Sequence, residues 1–184
     1  MCAILLAAGP ARASVVQALG LDELVEESDQ IFLGRVVFSE SFQRSDGMIG
    51  TWHRIEVERN VRGGSADQRE VIIETLGGQL GDIAMRVEGE PSFSVGERVI
   101  VFGRHGGSLR AVRPVGMGQG VMRVGIEEGI EMVRQSRQGM MLMRRNADGR
   151  LEKSLGALPR KESLDSFLLR VQTLVQQKAG PGGE

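Results

Sequence analysis

His53 and His105 are the only imidazoles in the 184-residue chain. Neither takes part in an H-x-H or H-x-x-x-H spacing, so neither seeds a tetrahedral zinc site. His53 follows Trp52 in a segment that alternates like a strand. It reads as an ordinary strand histidine, with a contact on a barrel face as the functional alternative. His105 precedes Gly106-Gly107 and reads as a solvated turn residue. Gly116-x-Gly118-x-Gly120 suggests phosphate binding, but it lacks the third glycine at the dinucleotide-fingerprint spacing. Val121-Met122-Arg123-Val124 follows, not a helix whose amides could hold a phosphate. That segment reads as a β-turn or a close backbone approach. The neighbouring carboxylates Glu127 and Glu128 stand in the turn 125–129, where no burial would raise a pKa for acid catalysis. The methionine-rich residues 139–144 (GMMLMR) read as an edge strand or a cover for the core, not as a soft-metal site. No G-x-S-x-G elbow is present, and a dispersed Ser-His-Asp set stays open. The sequence therefore assigns no catalytic, cofactor-binding or metal-binding residue, and no cofactor.

Composition sets the frame for whatever elements carry these residues. The chain is 41% apolar and 26% charged, an ordinary globular balance for one domain with appendages. It is long enough to bury a core without covalent staples. Its formal net charge is −1, which provides no global field to draw in nucleic acid. Aromatic residues make up 4%, with one Trp and no Tyr, so stacking faces for single-stranded bases are few. Abundant, scattered glycine suits tight turns between short strands.

The N-terminus opens on a short apolar run, CAILLAA, followed by Gly9-Pro10 and then Ala11-Arg12-Ala13. Small residues at 11 and 13 fit an A-x-A cleavage pattern. The run is too short to cross a bilayer, which takes about 20 apolar residues. The basic segment that normally precedes such a run is missing, so residues 1–13 read as a truncated signal peptide, with a short buried N-terminal helix or strand as the alternative. The expectation is an exported chain, periplasmic or extracellular, after cleavage near Ala13. The only cysteine, Cys2, would leave with the leader. The mature chain would then have neither a disulfide nor a catalytic thiol, and export permits disulfides without requiring them.

Along the rest of the chain, periodicity predicts the elements. Residues 19–28 form a short helix, with Leu21, Leu24 and Val25 on one face and a solvated acidic face opposite. Ile31, Leu33, Val36 and Phe38 mark a strand interrupted by Gly34, the position of a bulge or sharp bend. Ser45-Asp46-Gly47 turns it into a return strand at 48–61, where His53, Ile55, Val57 and Arg59 share one face. Residues 70–75 make a compact strand, 83–87 a weaker one, and 98–102 (RVIVF) the clearest of all. Between the last two, Pro91 is barred from a central ladder and Phe93 is placed to plug one end of the core. Residues 109–115 pair back, and 121–124 follow. Further strands are expected at 130–133 and 140–144. Residues 134–161 are basic, and Ser163 caps an amphipathic helix at 163–177. About six strands with glycine-rich turns give a small closed barrel or a sandwich, and the bend at Gly34 favours the barrel.

Four segments resemble a known pattern. Ser28-Asp29-Gln30-Ile31-Phe32-Leu33-Gly34-Arg35-Val36-Val37 is similar to the first strand of netrin-like domains, the fold of the tissue inhibitors of metalloproteinases. Val57-Glu58-Arg59-Asn60-Val61-Arg62-Gly63 resembles the end of their second long strand, with Arg62 in place of lysine. Residues 71–75 end in Thr as the third strand does, and Gly96-Glu97-Arg98-Val99-Ile100-Val101 looks like their G-E-x-Y-L-V strand. The run through Gly118-Gln119-Gly120 also resembles exported bacterial proteins of uncharacterised function. These likenesses imply an OB-type five-stranded barrel. The fold expectation is mainly β: a small OB-like closed antiparallel barrel with a short N-terminal helix and a C-terminal amphipathic helix. The expected division is leader 1–13, barrel domain 14–125, and C-terminal extension 126–184 with a β-hairpin and the terminal helix. Netrin-like domains usually carry disulfides, and their protease inhibition uses an N-terminal cysteine. A cysteine-free mature chain does not inherit that mechanism.

The functional expectation is an exported, non-enzymatic binding module whose partner is another exported or envelope protein. It has no transmembrane span and no nucleic-acid ligand, and its oligomeric state is left open. The basic stretch and terminal helix are the expected partner-contact region, with docking of the helix's apolar face on the barrel as the structural reading. The alternative is an exported hydrolase with a dispersed active site.

Overall fold

The computed structural model describes residues 14–65, 67–137, 139–157 and 160–179. The expected leader and its cleavage site near Ala13 lie outside the described residues. The first elements are strand β1 (Ser14–Gln17) and helix α1 (Leu21–Glu27). Two long strands follow, β2 (Gln30–Gln43) and β3 (Ile49–Arg62). Their hairpin turns at Gly47, which has φ +82°, and the Asp46 carboxylate accepts the Met48 N–H at 3.0 Å. Next come β4 (Glu70–Leu76), the small hairpin β5 (Gly78–Leu80) and β6 (Ile83–Met85), then β7 (Arg98–His105) and β8 (Val112–Pro114). The chain continues through β9 (Val121–Glu127), β10 (Ile130–Gln135), β11 (Met140–Arg145), β12 (Leu151–Lys153) and β13 (Glu162–Ser163) to helix α2 (Leu164–Ala179).

Strands β2, β3, β4, β8 and β7 close into a five-stranded barrel of OB-like form. One edge of β7 pairs with β2; the other pairs first with β9 and then, from Gly103 to His105, with β8. Closure between β4 and β8 is a single parallel bridge, Ile73 to Val112, so the barrel is mixed where an all-antiparallel one was expected. Beyond β9 the sheet extends through β10 to β13. A separate sheet sets β11 between β1 and β12, with β1 and β11 parallel.

Irregularities in β2 decide which side chains face in. Its register against β3 shifts between Ile31 and Phe32, between Leu33 and Gly34, and between Val36 and Phe38. Up to Val36 the alternation holds: Ile31 and Leu33 lie under the helices while Phe32 and Val36 lie in the barrel. After the last shift, Ser39 and Ser41 face the barrel mouth and Phe38 turns outward. The interior is Phe32, Val36, Ile55, Val71, Ile73, Val99, Val101, Val112 and Val121, with Phe93 packed at one end.

The second apolar cluster lies outside the barrel. Leu24 and Val25 of α1 and Phe167, Leu168 and Val171 of α2 cover Ile31, Leu33, Ile100, Phe102 and Met122. Phe102 and Phe167 meet edge to face at 6.3 Å. The apolar face of the terminal helix therefore packs on the barrel, and the Ser163 hydroxyl accepts the Ser166 N–H at 3.4 Å.

Two strand expectations need correction. There are thirteen strands among the described residues, where nine segments were expected. The four additional ones are β1, β5, β12 and β13, two to four residues long, which are too short to show an alternation and exist because a partner strand lies beside them. The methionine-rich segment is not an edge strand, because β1 and β12 flank it on both sides.

A Cβ at position 34 would lie 2.5 Å from the Glu56 carbonyl oxygen and 2.6 Å from Ile55 Cγ2. Gly34→Val should therefore lower stability by at least about 1–3 kcal/mol. Chemical-denaturation midpoints of the two proteins check this; an unchanged midpoint would show that β2 tolerates the side chain and that the bend does not depend on glycine.

Candidate functional site

The inward alternation of β2 and β3 ends in polar residues. Ser39 pairs with His53 and Ser41 with Thr51 across the ladder, and Thr51 pairs onward with Thr75 of β4. These side chains cap the apolar interior at one end. His53 is 4% exposed. Its Nδ1 lies 2.7 Å from the Ser39 hydroxyl and its Nε2 lies 3.0 Å from the Thr75 hydroxyl. The Phe93 ring tilts over the imidazole with centroids 4.7 Å apart. Phe93 thus plugs the barrel end, as its sequence position suggested.

Above this layer lies a cavity of about 350 Å³. Its far wall is the segment 85–93, which holds Glu88, Glu90 and Pro91. Gly77 and Gly78 turn the chain between the two walls, and a Cβ on Gly78 would fall 2.3 Å from Thr51 Oγ1 and 2.4 Å from Ser41 Oγ. The close backbone approach requires glycine there. Thr51 donates to the Gly77 carbonyl at 2.6 Å, and Ser41 accepts the Gln79 N–H at 3.2 Å. Glu90 accepts the Leu76 N–H at 3.3 Å, and burial pushes its carboxyl above the usual range.

The outward face of the same strands is different. Phe42 stacks on Trp52 with centroids 3.8 Å apart and planes 17° apart. The Arg54 guanidinium lies over Phe38 at 5.5 Å. Phe38 is 45% exposed and Ile72, beside Arg54 on β4, is 38% exposed. Trp52 Nε1 donates to the Ser108 hydroxyl at 3.0 Å. Below it the buried Glu74 carboxylate is held by Arg44, by Arg113 at 2.9 Å and by the Ser108 N–H at 2.7 Å. Burial alone would raise the Glu74 pKa, but the hydrogen bonds from Ser108 and Arg113 outweigh it and the net direction is down.

The remaining sequence candidates fall elsewhere. His105 is exposed at the end of β7, where its N–H donates to the Asp29 carboxylate at 2.8 Å. Residues Met117–Gly120 form a 3-10 turn, and the buried Gln119 side chain ties Leu19 N–H, Gln17 carbonyl and Gly116 carbonyl together. That turn joins segments of the fold and presents no phosphate cradle. Glu127 pairs with Arg134 and Lys161 from the basic stretch, and Arg144 pairs with Glu23 of α1. Among the described residues, no three His, Cys, Asp or Glu side chains are grouped to hold a metal, and no helix is long and apolar enough to cross a membrane.

Of the residues at the mouth, sequence reading singled out only His53 and Phe93. Thr75 was noted only as the end of its strand, and Ser39, Ser41 and Thr51 went unnoticed. Their one signal was polar residues continuing the inward alternation of apolar strands. No family model matches the chain, and no curated protein matches it.

Desolvation lowers the His53 pKa from 6.5 to about 4. The folded value lies below the unfolded one, so protonation favours unfolding. The neutral imidazole's contribution is fully present above about pH 6.5 and is lost as pH falls toward 4. The size of the shift corresponds to about 3 kcal/mol. Glu90, with its raised carboxyl, acts in the opposite sense. Between pH 7 and pH 4, urea melts should show the parent chain losing about 3 kcal/mol more than a His53→Gln variant; equal losses would place the proton uptake elsewhere.

Proposed function

We propose that the chain is an exported, non-enzymatic binding module, and that its ligand is another exported or envelope protein docked on the outer face of β2, β3 and β4. The observation that carries this reading is the aromatic outer face. Phe38, Phe42 and Trp52 account for nearly half of the chain's six phenylalanines and single tryptophan. They lie on one surface with Arg54 and the exposed Ile72. Tryptophan and arginine are over-represented among residues that dominate protein-binding energy. OB barrels bind ligands on the corresponding strands and on the loops beside them, which supports the reading by analogy. The resemblance of four strand motifs to netrin-like domains supports the same reading, without their cysteine-based inhibition. The reading places cleavage near Ala13, and it includes no nucleic-acid ligand.

The alternative, a hydrolase with a dispersed site, has the Ser39–His53 contact in its favour. Against it, the second ring nitrogen meets Thr75 and not a carboxylate, so nothing steadies an imidazolium. An imidazole with a pKa of about 4 is also a weak base at neutral pH.

Residues 14–184, immobilised and exposed to an envelope extract, should retain a protein that Trp52→Ala and Arg54→Ala variants bind about thirtyfold more weakly. A fluorophosphonate probe should leave Ser39 unlabelled. Equal retention by parent and variants would overturn the docking face, and labelling of Ser39 would install the hydrolase reading instead.

A further inference from the structure

The cavity at the barrel mouth lies on the opposite side of β2 and β3 from the aromatic face, and its chemistry is separate. Its hydrogen-bonding capacity can be followed proton by proton. Gln79 N–H donates to Ser41, so that hydroxyl accepts there. Thr51 gives its proton to the Gly77 carbonyl. The 3.1 Å contact between the two hydroxyls must then use the Ser41 proton, with Thr51 accepting. Both protons are spent, and unused lone pairs remain on both oxygens.

The Ser39–His53–Thr75 chain behaves differently. A neutral imidazole has one N–H and one lone pair. One of the two hydroxyls must donate to the ring while the other accepts from it and keeps its own proton. Neither hydroxyl has a further partner among the described residues. Either tautomer therefore leaves one free O–H at the mouth, and a change of tautomer moves it from Ser39 to Thr75 or back. The burial that keeps His53 neutral preserves this choice at neutral pH.

The layer thus offers several acceptors, one movable donor and the ring of Phe93 beside them. The charged groups of the cavity are engaged: Glu88 pairs with Arg86 at 3.0 Å, and Glu90 holds the Leu76 N–H. An apolar ligand would strand the hydroxyls, and an anion would meet two carboxylates, Glu88 and Glu90, against the single Arg86, which is already paired with Glu88. A ligand that fits both the donors and the acceptors carries several hydroxyls on a ring with an apolar face, in a volume of about 350 Å³.

We propose that the cavity bounded by Ser39, Ser41, Thr51, His53, Thr75 and Phe93 is a binding site for an uncharged pyranose unit of a saccharide, with the Ser39–His53–Thr75 chain adjusting its donor to the sugar. The site is independent of the protein-docking face, so either assignment can fail alone.

The test is an amide-resolved NMR titration of the full chain with methyl β-glucopyranoside, alongside glucuronate and glucosamine as charged comparators. The neutral sugar should shift the Gly77, Gly78 and Gly89 amides saturably, and more tightly than either charged analogue. Ser39→Ala and Ser41→Ala should each weaken it about fivefold, while Trp52→Ala leaves it unchanged. Ring ¹⁵N shifts of His53 should show one protonated and one bare nitrogen at neutral pH, with a tautomer ratio that moves on adding sugar. The proposal is overturned by an absence of saturable shifts with the neutral sugar, by equal or tighter binding of a charged analogue, or by affinity indifferent to both serine variants in proteins whose denaturation midpoints are unchanged.

Discussion

Strand β2 has to satisfy two partners and two environments. It pairs with β3 along one edge and with β7 along the other, and it runs from beneath the helices to the mouth of the barrel. A regular strand would keep the same alternation throughout and would send Phe38 inward and Ser39 outward. The shift between Val36 and Phe38 prevents that. Upstream, position 34 requires glycine because the Glu56 carbonyl and the Ile55 side chain occupy the space a Cβ would need. The outward Phe38 and the inward Ser39 and Ser41 both descend from the interruption after Val36.

The rest of the fold supports that strand from both sides. Inside, β-branched residues of β3, β4, β7 and β9 fill the barrel. Outside, α1 and α2 cover Ile31, Leu33 and Phe102, so β2 is buried on both faces over its first half. The C-terminal helix shares one apolar cluster with the N-terminal helix and the barrel wall. Closure between β4 and β8 rests on a single backbone bridge, and side chains reinforce it: Arg113 of β8 grips Glu74 of β4, with Ser108 on the other carboxylate oxygen. A buried carboxylate with these partners stays ionised and joins the two strands where the backbone does little.

At the mouth, burial works against an acid–base role for the imidazole. A histidine that is to accept a serine's proton needs a partner that favours its charged form. His53 has two hydroxyls and a phenyl ring, and desolvation holds it neutral. The ring is left to exchange hydrogen bonds with the two hydroxyls as a neutral group.

Several features were legible from local pattern because their causes are local. The amphipathic spacing of Leu164, Phe167, Leu168 and Val171, the turn at Asp46-Gly47, the interior face of His53 and Ile55, the bend at Gly34 and the plug at Phe93 each follow from a residue and its near neighbours. So did the mainly β barrel, because runs of β-formers separated by glycine turns have few other ways to bury themselves. The short strands β1, β5, β12 and β13 could not be read, since a segment of two to four residues becomes a strand only when another strand lies beside it. The central position of the methionine-rich β11 has the same origin. The hydroxyl layer was hidden for a further reason. Ser39, Ser41, Thr51 and Thr75 look like ordinary strand residues one at a time, and they become a site only when three strands align in register and a bulge turns two of them inward. Chain identity set the elements and their apolar faces; tertiary pairing alone set the closure of the barrel and the company His53 keeps, because both depend on contacts between residues far apart in sequence.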